Sequence, residues 1–168
     1  APSRGLGDVY KRQLEDSKKN LYTDNCILNS VLNIKYSAAQ VADIKIESNI
    51  FVPKYMNIDY GDMGVLFGNL LDNAIEANQG VDRKKRWINV SVKYEEHILI
   101  INIKNSKIRG SRRKKKGYLN HGIGLNSVKQ IVEKFNGIVE VQDFGEMYEV
   151  SAILYGICDD KDLGKSVL

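Results

Sequence analysis

Hydrophobic residues recur at helical spacing in three stretches of this 168-residue chain. In residues 63–77 they follow the i, i+3, i+4, i+7 rule, which predicts a helix with one buried face. The positions are Met63, Leu66, Phe67, Leu70, Leu71 and Ala74. Leu14 to about Ala42 shows the same period on two faces and predicts a helix with more than one neighbour, either a core helix or one arm of a truncated helical bundle or coiled dimer. A third helix is predicted from Gly122 to Asn136–Gly137, where an Asn-Gly pair is typical of a helix end.

Five shorter runs are rich in β-branched residues and alternate or are wholly apolar, which predicts strands. They are Ile44–Val52, Trp87–Tyr94, Ile98–Ile103, Ile138–Gln142 and Tyr148–Leu154. Glu95–Glu96–His97 separates two of them and predicts a turn that exposes His97. The strands form sequential pairs beside helices with apolar faces. This pattern predicts a two-layer α/β (α+β) sandwich with a mixed sheet and helices on one face.

A polar stripe runs along the predicted helix at residues 63–77. Asn69, Asp72, Asn73 and Glu76 recur at helical spacing, with no basic residue three or four positions away. Carboxylate and amide oxygens are the ligands that Mg²⁺ prefers. The stripe therefore predicts a face that binds a hard cation.

Composition limits the alternatives. The formal net charge is +4, 43% of the residues are hydrophobic, and the longest aliphatic run, Ile98–Ile101, is too short to span a bilayer. Without a signal-peptide pattern, Cys26 and Cys158 are expected to be free thiols in a reducing compartment. These features favour one water-soluble domain, expected in the cytoplasm.

Residues 105–120 carry seven basic residues without apolar periodicity, which predicts a long loop. Gly122-Ile123-Gly124-Leu125 follows and is expected to begin the third helix. Glycines at a helix start let free N–H groups approach an anion, so this order favours phosphate binding. A nucleic-acid-binding module that uses Arg112–Lys116 is the alternative, although Tyr118 is the one aromatic residue beside that cluster.

Two motifs resemble a known family. Residues 69–77, Asn-Leu-Leu-Asp-Asn-Ala-Ile-Glu-Ala, resemble the N box of the ATP-binding superfamily of gyrase, Hsp90, MutL and the sensor histidine kinases. Residues 121–128 resemble its second glycine box. The subgroup of accessory-gene-regulator-type quorum-sensing kinases of Gram-positive bacteria is similar in residues 30–35, 104–106 and 116–118. The resemblance implies a Bergerat-type ATP-binding fold with a mostly antiparallel sheet.

The resemblance also implies roles for single residues. Asn73 would bind the Mg²⁺ that bridges the ATP phosphates, and Asn69 would assist one turn earlier. The remaining nucleotide contacts would be Asn105, Lys116, Gly122, Ile123, Gly124 and Leu125. Asn105 stands where the family usually has an aspartate that accepts from the adenine amino group, and the glycines that usually follow are absent. An amide oxygen accepts without charge assistance, so weak ATP affinity is expected.

Asn69 bears on the reaction type. Family members that hydrolyse ATP or phosphorylate serine carry a glutamate there as general base, and an asparagine cannot take up a proton. The resemblance therefore favours a histidine kinase. The alternative is a degenerate sensor domain that binds ATP without transfer.

No histidine precedes His97, so the acceptor histidine is expected on an upstream helix outside this sequence, and this fragment is not expected to phosphorylate itself. The implied partners are that helix, a response regulator and a second protomer of a membrane-anchored homodimer, with no nucleic acid. The predicted division is an adaptor-derived or disordered leader (1–13), a truncated dimerisation helix (14–42), the ATP-binding domain (43–156) and a tail (157–168).

Overall fold

Helices and strands alternate through the described part of a computed structural model, which covers residues 7–8, 20–110 and 115–159. The side-chain surroundings of residues 115–123 lie outside it. Residues 20–110 and 115–159 form three α-helices, a short 3₁₀ helix at Arg83–Lys85 and five strands. In chain order these are α1 (Cys26–Val41), β1 (Lys45–Phe51), α2 (Tyr60–Ala77), β2 (Trp87–Glu95), β3 (Ile98–Ser106), α3 (Lys115–Lys134), β4 (Ile138–Asp143) and β5 (Met147–Tyr155).

The five strands form one sheet in the order β1-β2-β3-β5-β4. β1 runs parallel to β2, and the other neighbours are antiparallel, which confirms the mixed, mostly antiparallel sheet. Glu96 and His97 both have positive φ in the tight turn between β2 and β3, as a two-residue hairpin requires. The predicted turn with an exposed His97 is therefore confirmed.

One face of the sheet is covered by the helices. Val92, Ile101 and Ala152 lie opposite one another on β2, β3 and β5, and all three are buried. Helix α2 lies in the middle of the helical layer, because it packs against α1, α3 and β3. The two-layer sandwich with helices on one face is therefore confirmed.

Helix α1 begins later than predicted. Residues 20–25 are not helical, and the Asn25 side chain accepts a hydrogen bond from Leu28 N at 3.1 Å, so it caps the helix that starts at Cys26. A predicted start at Leu14 is therefore wrong for residues 20–25, because the cap gives the first turn its N-terminal boundary. Residues 14–19 lie outside the described part.

Helix α1 is also part of the helical layer of the sandwich. Leu28, Leu32, Tyr36 and Ala39 are buried in the same hydrophobic cluster as the residues of α2 and the sheet. This burial supports the interpretation of residues 26–41 as a core helix. The helix buries its inner face against the domain itself.

The predicted loop over residues 105–120 is too long. β3 continues to Ser106, and α3 already begins at Lys115. The strand extends because Asn105 pairs with both Ile88 and Tyr148 and so stays within the ladder. Residues 111–114, which include the basic Arg112, Arg113 and Lys114, lie outside the described part.

The predicted tail also begins too early. Ile157 is fully buried, and Cys158 N donates to Asn57 Oδ1 at 2.8 Å. The Ile157 carbonyl accepts a hydrogen bond from Tyr94 Oη at 3.1 Å, so residues 157–158 belong to the folded unit. Among the described residues, no helix is both long and apolar enough to cross a membrane.

We expect Leu32→Ala to lower the free energy of unfolding by about 2–5 kcal/mol, because it leaves a cavity in the shared core. Ile34→Ala in the same helix is the matched control, since Ile34 is 67% exposed, and its cost should stay within about 0.5 kcal/mol. Urea unfolding measures both. Equal, small effects would show that α1 is not part of the cooperative core.

Candidate functional site

The polar side chains of α2 lie in different environments. Asn73 is buried, with 6% of its surface exposed, whereas Glu76 is exposed. Asp72 faces α1, where its Oδ1 lies 2.7 Å from Lys35 Nζ. The sequence places no basic residue three or four positions away from this stripe, and the basic partner of Asp72 comes from another helix. The cation-binding potential of the stripe then falls chiefly on its two amides.

Asn69 lies against the glycine box. A Cβ built on Gly124 would be 3.8 Å from Cγ and Oδ1 of Asn69 and 3.9 Å from its Cβ. Residues separated by more than fifty positions in the sequence are therefore brought together by the packing of α3 on α2. Glycine at position 124 keeps the space beside the Asn69 amide open.

The glycine box lies inside α3 and not at its start. Because α3 begins at Lys115, the N–H groups of residues 122–125 belong to its helical interior, where they point to the carbonyls four residues earlier. The predicted helix start at Gly122 is therefore wrong. In this conformation these N–H groups do not form the expected anion cradle.

Asn105 lies near the end of β3 with 2% of its surface exposed. It follows the same alternation as Ile101 and Ile103, so it lies on the side of the sheet that α2 covers. Its Nδ2 donates to the Ser106 carbonyl at 3.0 Å. Asn105, the candidate contact to the adenine base, is therefore a buried amide whose orientation is set by a hydrogen bond.

A buried hydrogen-bond network next to Asn105 was not predicted. Ser106 Oγ donates to Asn78 Oδ1 and accepts from Trp87 N at 3.0 Å. Asn78 is fully buried and also donates through Nδ2 to the Ala74 carbonyl at 2.9 Å. The sequence contained one signal, the Lys104-Asn105-Ser106 match. From the sequence, Asn78 indicated only the end of a helix and no hydrogen bond to Ser106.

The residues after β3 are tied to the β4–β5 turn. Lys107 N donates to the Glu146 carbonyl, and Lys107 Nζ lies 2.6 Å from Asp143 Oδ2. This hydrogen bond, followed by one from Gly145 N, holds the pKa of the Asp143 carboxyl below its usual range. Residues on both sides of Ser106 are therefore held by hydrogen bonds, Asn105 through its side chain and Lys107 through its backbone N–H.

The structure thus brings Asn69 together with Gly124, and it buries Asn73 and Asn105 on α2 and β3, two elements that pack against each other. Leu125 is half-buried on α3. Lys116, Gly122 and Ile123 lie in α3, but their surroundings lie outside the described part. Within that part, no group of three or more His, Cys, Asp or Glu residues could hold a metal ion.

Sequence comparison identifies a family and a relative of this chain. The profile of the family described as GHKL domain matches residues 58–154, which include α2, β2, β3 and α3. The probable C4-dicarboxylate sensor kinase of Bacillus subtilis (strain 168) is 32% identical over 95 residues, which cover 51% of this chain and 18% of that protein. The chain therefore spans less than a fifth of that relative.

Solved structures with the same fold include two histidine kinases, ThkA and AdeS, and the protein ShkA. The catalytic domain of ThkA, in a nucleotide-free form, has a TM-score of 0.58 at 15% identity and covers 77% of this chain and 92% of its own. AdeS of Acinetobacter baumannii gives 0.55 at 15% identity, with coverages of 77% and 63%. Full-length ShkA in complex with AMPPNP gives 0.58 at 14%, with coverages of 79% and 30%. At these identities the likeness shows the fold.

We expect a disulfide to form between cysteines placed at Asn69 and Gly124, because the 3.9 Å Cβ–Cβ separation suits one. The native thiols, Cys26 and Cys158, are first replaced by serine. Glu76→Cys with Gly124→Cys is the control, because Glu76 lies about 10 Å further along α2. Mass spectrometry after mild oxidation reads the cross-link. Its absence from the first pair, or equal yields, would contradict the placement of the glycine box.

Proposed function

Since the chain belongs to the GHKL domain family, we propose that it binds Mg-ATP and donates the γ-phosphoryl group to a histidine in a two-component sensor histidine kinase. One observation carries the proposal. Gly124 of the glycine box lies directly against Asn69 of the N box, on a helix that also buries Asn73. The two motifs of the resemblance thus share one surface. The structural relative ShkA is in complex with AMPPNP, which supports nucleotide binding by this fold.

The donor set fits Mg²⁺ bound together with phosphates. Mg²⁺ usually keeps several waters and takes one or two protein oxygens besides those of the substrate. Asn73 supplies one neutral oxygen from α2, and Asn69 stands one turn earlier on the same helix. Bound Mg²⁺ would neutralise charge on the phosphate oxygens during transfer. The protein's share is to hold the triphosphate in place with uncharged groups.

Asn69 favours histidine as the acceptor. An amide cannot take a proton from a water or a serine hydroxyl at neutral pH. A neutral imidazole nitrogen already carries the lone pair that attacks phosphorus, so it needs no base at this position. The site is therefore better suited to phosphorylating a histidine than to hydrolysing ATP or phosphorylating a serine.

Phosphate binding at the glycine box requires a change in α3. The N–H groups of residues 122–125 can face an anion only if the preceding turns, residues 115–121, leave the helix. We therefore include such an unwinding in the proposal. It would place Gly122, Ile123, Gly124 and Leu125 at a new helix start and release Lys116 to contact phosphate.

The proposal extends to the longer protein of which this chain would be a part. The acceptor histidine lies on an upstream helix of the same or the partner protomer, and a response regulator receives the phosphoryl group. The protein is a membrane-anchored homodimer of the accessory-gene-regulator type. The assignment to this subgroup rests on the similarity in residues 30–35, 104–106 and 116–118 alone. The relative found by sequence comparison is instead a probable C4-dicarboxylate sensor kinase.

A degenerate domain that binds ATP without transfer is the second candidate. It is favoured by Asn105, which replaces the usual aspartate, and by the helical glycine box. Both features weaken nucleotide binding without abolishing it. A nucleic-acid-binding module is less well supported, because Tyr118 is the one aromatic residue beside the basic cluster Arg112–Lys116.

We expect Asn73→Asp to weaken Mg-dependent ATP binding at least about tenfold, because it adds a buried negative charge beside the phosphates. Asn49→Asp makes the same charge change on exposed β1 and should bind like the wild type. Calorimetric titration with and without Mg²⁺ measures both. Equal binding by the two variants would remove Asn73 from the site.

Transfer is tested with a separate histidine-bearing helical hairpin and γ-labelled ATP. We expect acid-labile, base-stable label on the hairpin histidine, and none on a hairpin whose histidine is replaced by glutamine. ATP binding without labelling would favour the degenerate sensor. Salt-sensitive DNA binding without ATP binding would favour the nucleic-acid module.

A further inference from the structure

A buried hydrogen-bond chain joins the end of α2 to the end of β3. Asn78 caps α2 and has no exposed surface, and Ser106 on β3 is 5% exposed. Ser106 Oγ donates to Asn78 Oδ1, and Trp87 N donates to Ser106 Oγ at 3.0 Å. Asn78 Nδ2 reaches the carbonyls of Ala74 and Trp87 at 2.9 and 3.3 Å. Ser106 is therefore held from two elements at once.

The position of Ser106 determines which atom Asn105 presents. Asn105 Nδ2 donates to the Ser106 carbonyl at 3.0 Å. A carbonyl oxygen can only accept, so the amide nitrogen must face Ser106. The Oδ1 atom of Asn105 then lies on the opposite side of the amide, where it can accept from another group.

An amide needs this orientation, whereas a carboxylate does not. Both ends of an aspartate carboxylate are acceptors, so either rotamer can accept from an amino group. Turning an asparagine amide over exchanges an acceptor for a donor. A donor facing the amino group of adenine would leave two N–H groups opposed. An asparagine at position 105 therefore works as a base contact only when a neighbouring group fixes its orientation.

We propose that Ser106 and Asn78 are positioning residues, which hold Asn105 so that its Oδ1 accepts from the 6-amino group of an adenine base. The proposal deepens the ATP-binding function and rests on it. Purines that lack an amino group at position 6, or carry an oxygen there, would be disfavoured. Because Asn78 also caps the helix that bears Asn73, the same bonds link the base end of the site to its metal end.

The test compares ATP with purine riboside triphosphate, which lacks only the 6-amino group, by titration of the 168-residue chain in the presence of Mg²⁺. One neutral hydrogen bond predicts that the wild type binds ATP about threefold to tenfold more tightly than the analogue. In Ser106→Ala the ratio should fall below about twofold, with affinity for the analogue nearly unchanged.

A control variant separates orientation from folding. Thr23→Ala is the matched control, because it also removes a buried hydroxyl that bonds a backbone N–H, that of Asn25. The stability of Thr23→Ala should fall, while its ratio of affinities for ATP and the analogue should stay at the wild-type value. Ser106→Cys keeps the volume with a weaker donor, and it carries the test if Ser106→Ala does not fold.

The outcomes are distinguishable. A wild-type ratio near one with both nucleotides bound overturns this inference and leaves ATP binding intact. An equal loss for both nucleotides in Ser106→Ala also overturns it, because the hydroxyl would then be merely structural. If neither nucleotide binds the wild type, the proposed function fails as well.

Discussion

Helix α2 is packed on three sides, and the rest of the structure depends on this constraint. α1 and α3 lie beside it, and β3 lies beneath it. Its apolar residues fill the core, so its polar residues must either be paired or lie where a ligand can reach them. Asp72 is paired with Lys35 on one side, and Asp62 with Lys134 on the other. These ion pairs lie at the contacts of α2 with the two neighbouring helices.

The residues at this site are neutral amides, which has a chemical consequence. A triphosphate with its metal ion already carries concentrated charge of both signs. Buried carboxylates would repel the phosphates, and buried lysines would compete with the metal. Asn69, Asn73 and Asn105 offer oxygens without adding charge, at the cost of weaker hydrogen bonds. If nucleotide binds as proposed, such a site would favour reversible binding over tight capture.

Local patterns predicted the sheet well, because strand alternation and turn residues act over a few positions. The β2–β3 hairpin and the end of α3 near Asn136, which has positive φ, are examples. The N box was also readable, because its amides and apolar residues share one helix. The glycine box was found as a motif, but its place inside α3 was not, since residues 115–121 carry basic side chains with no apolar period that would indicate a helix.

Features that depend on distant residues were missed. Lys35 and Asp72 are on different helices, and neither sequence neighbourhood indicates the other. Asn78 and Ser106 look like an ordinary helix end and strand end, and their hydrogen bond exists only because α2 packs over β3. The packing of α1 was missed for the same reason. Its two apolar stripes indicated neighbours without identifying them.

Hydrogen exchange of the 168-residue chain, with and without Mg-ATP, tests the central claim that nucleotide binds between the N box, the end of β3 and the glycine box. The account predicts slower exchange in peptides that cover residues 69–78, 104–107 and 122–128. Exchange in β1 and in the 3₁₀ helix at Arg83–Lys85 should not change. Unchanged exchange in the first three segments at saturating Mg-ATP would contradict the account, as would protection confined to residues 83–89.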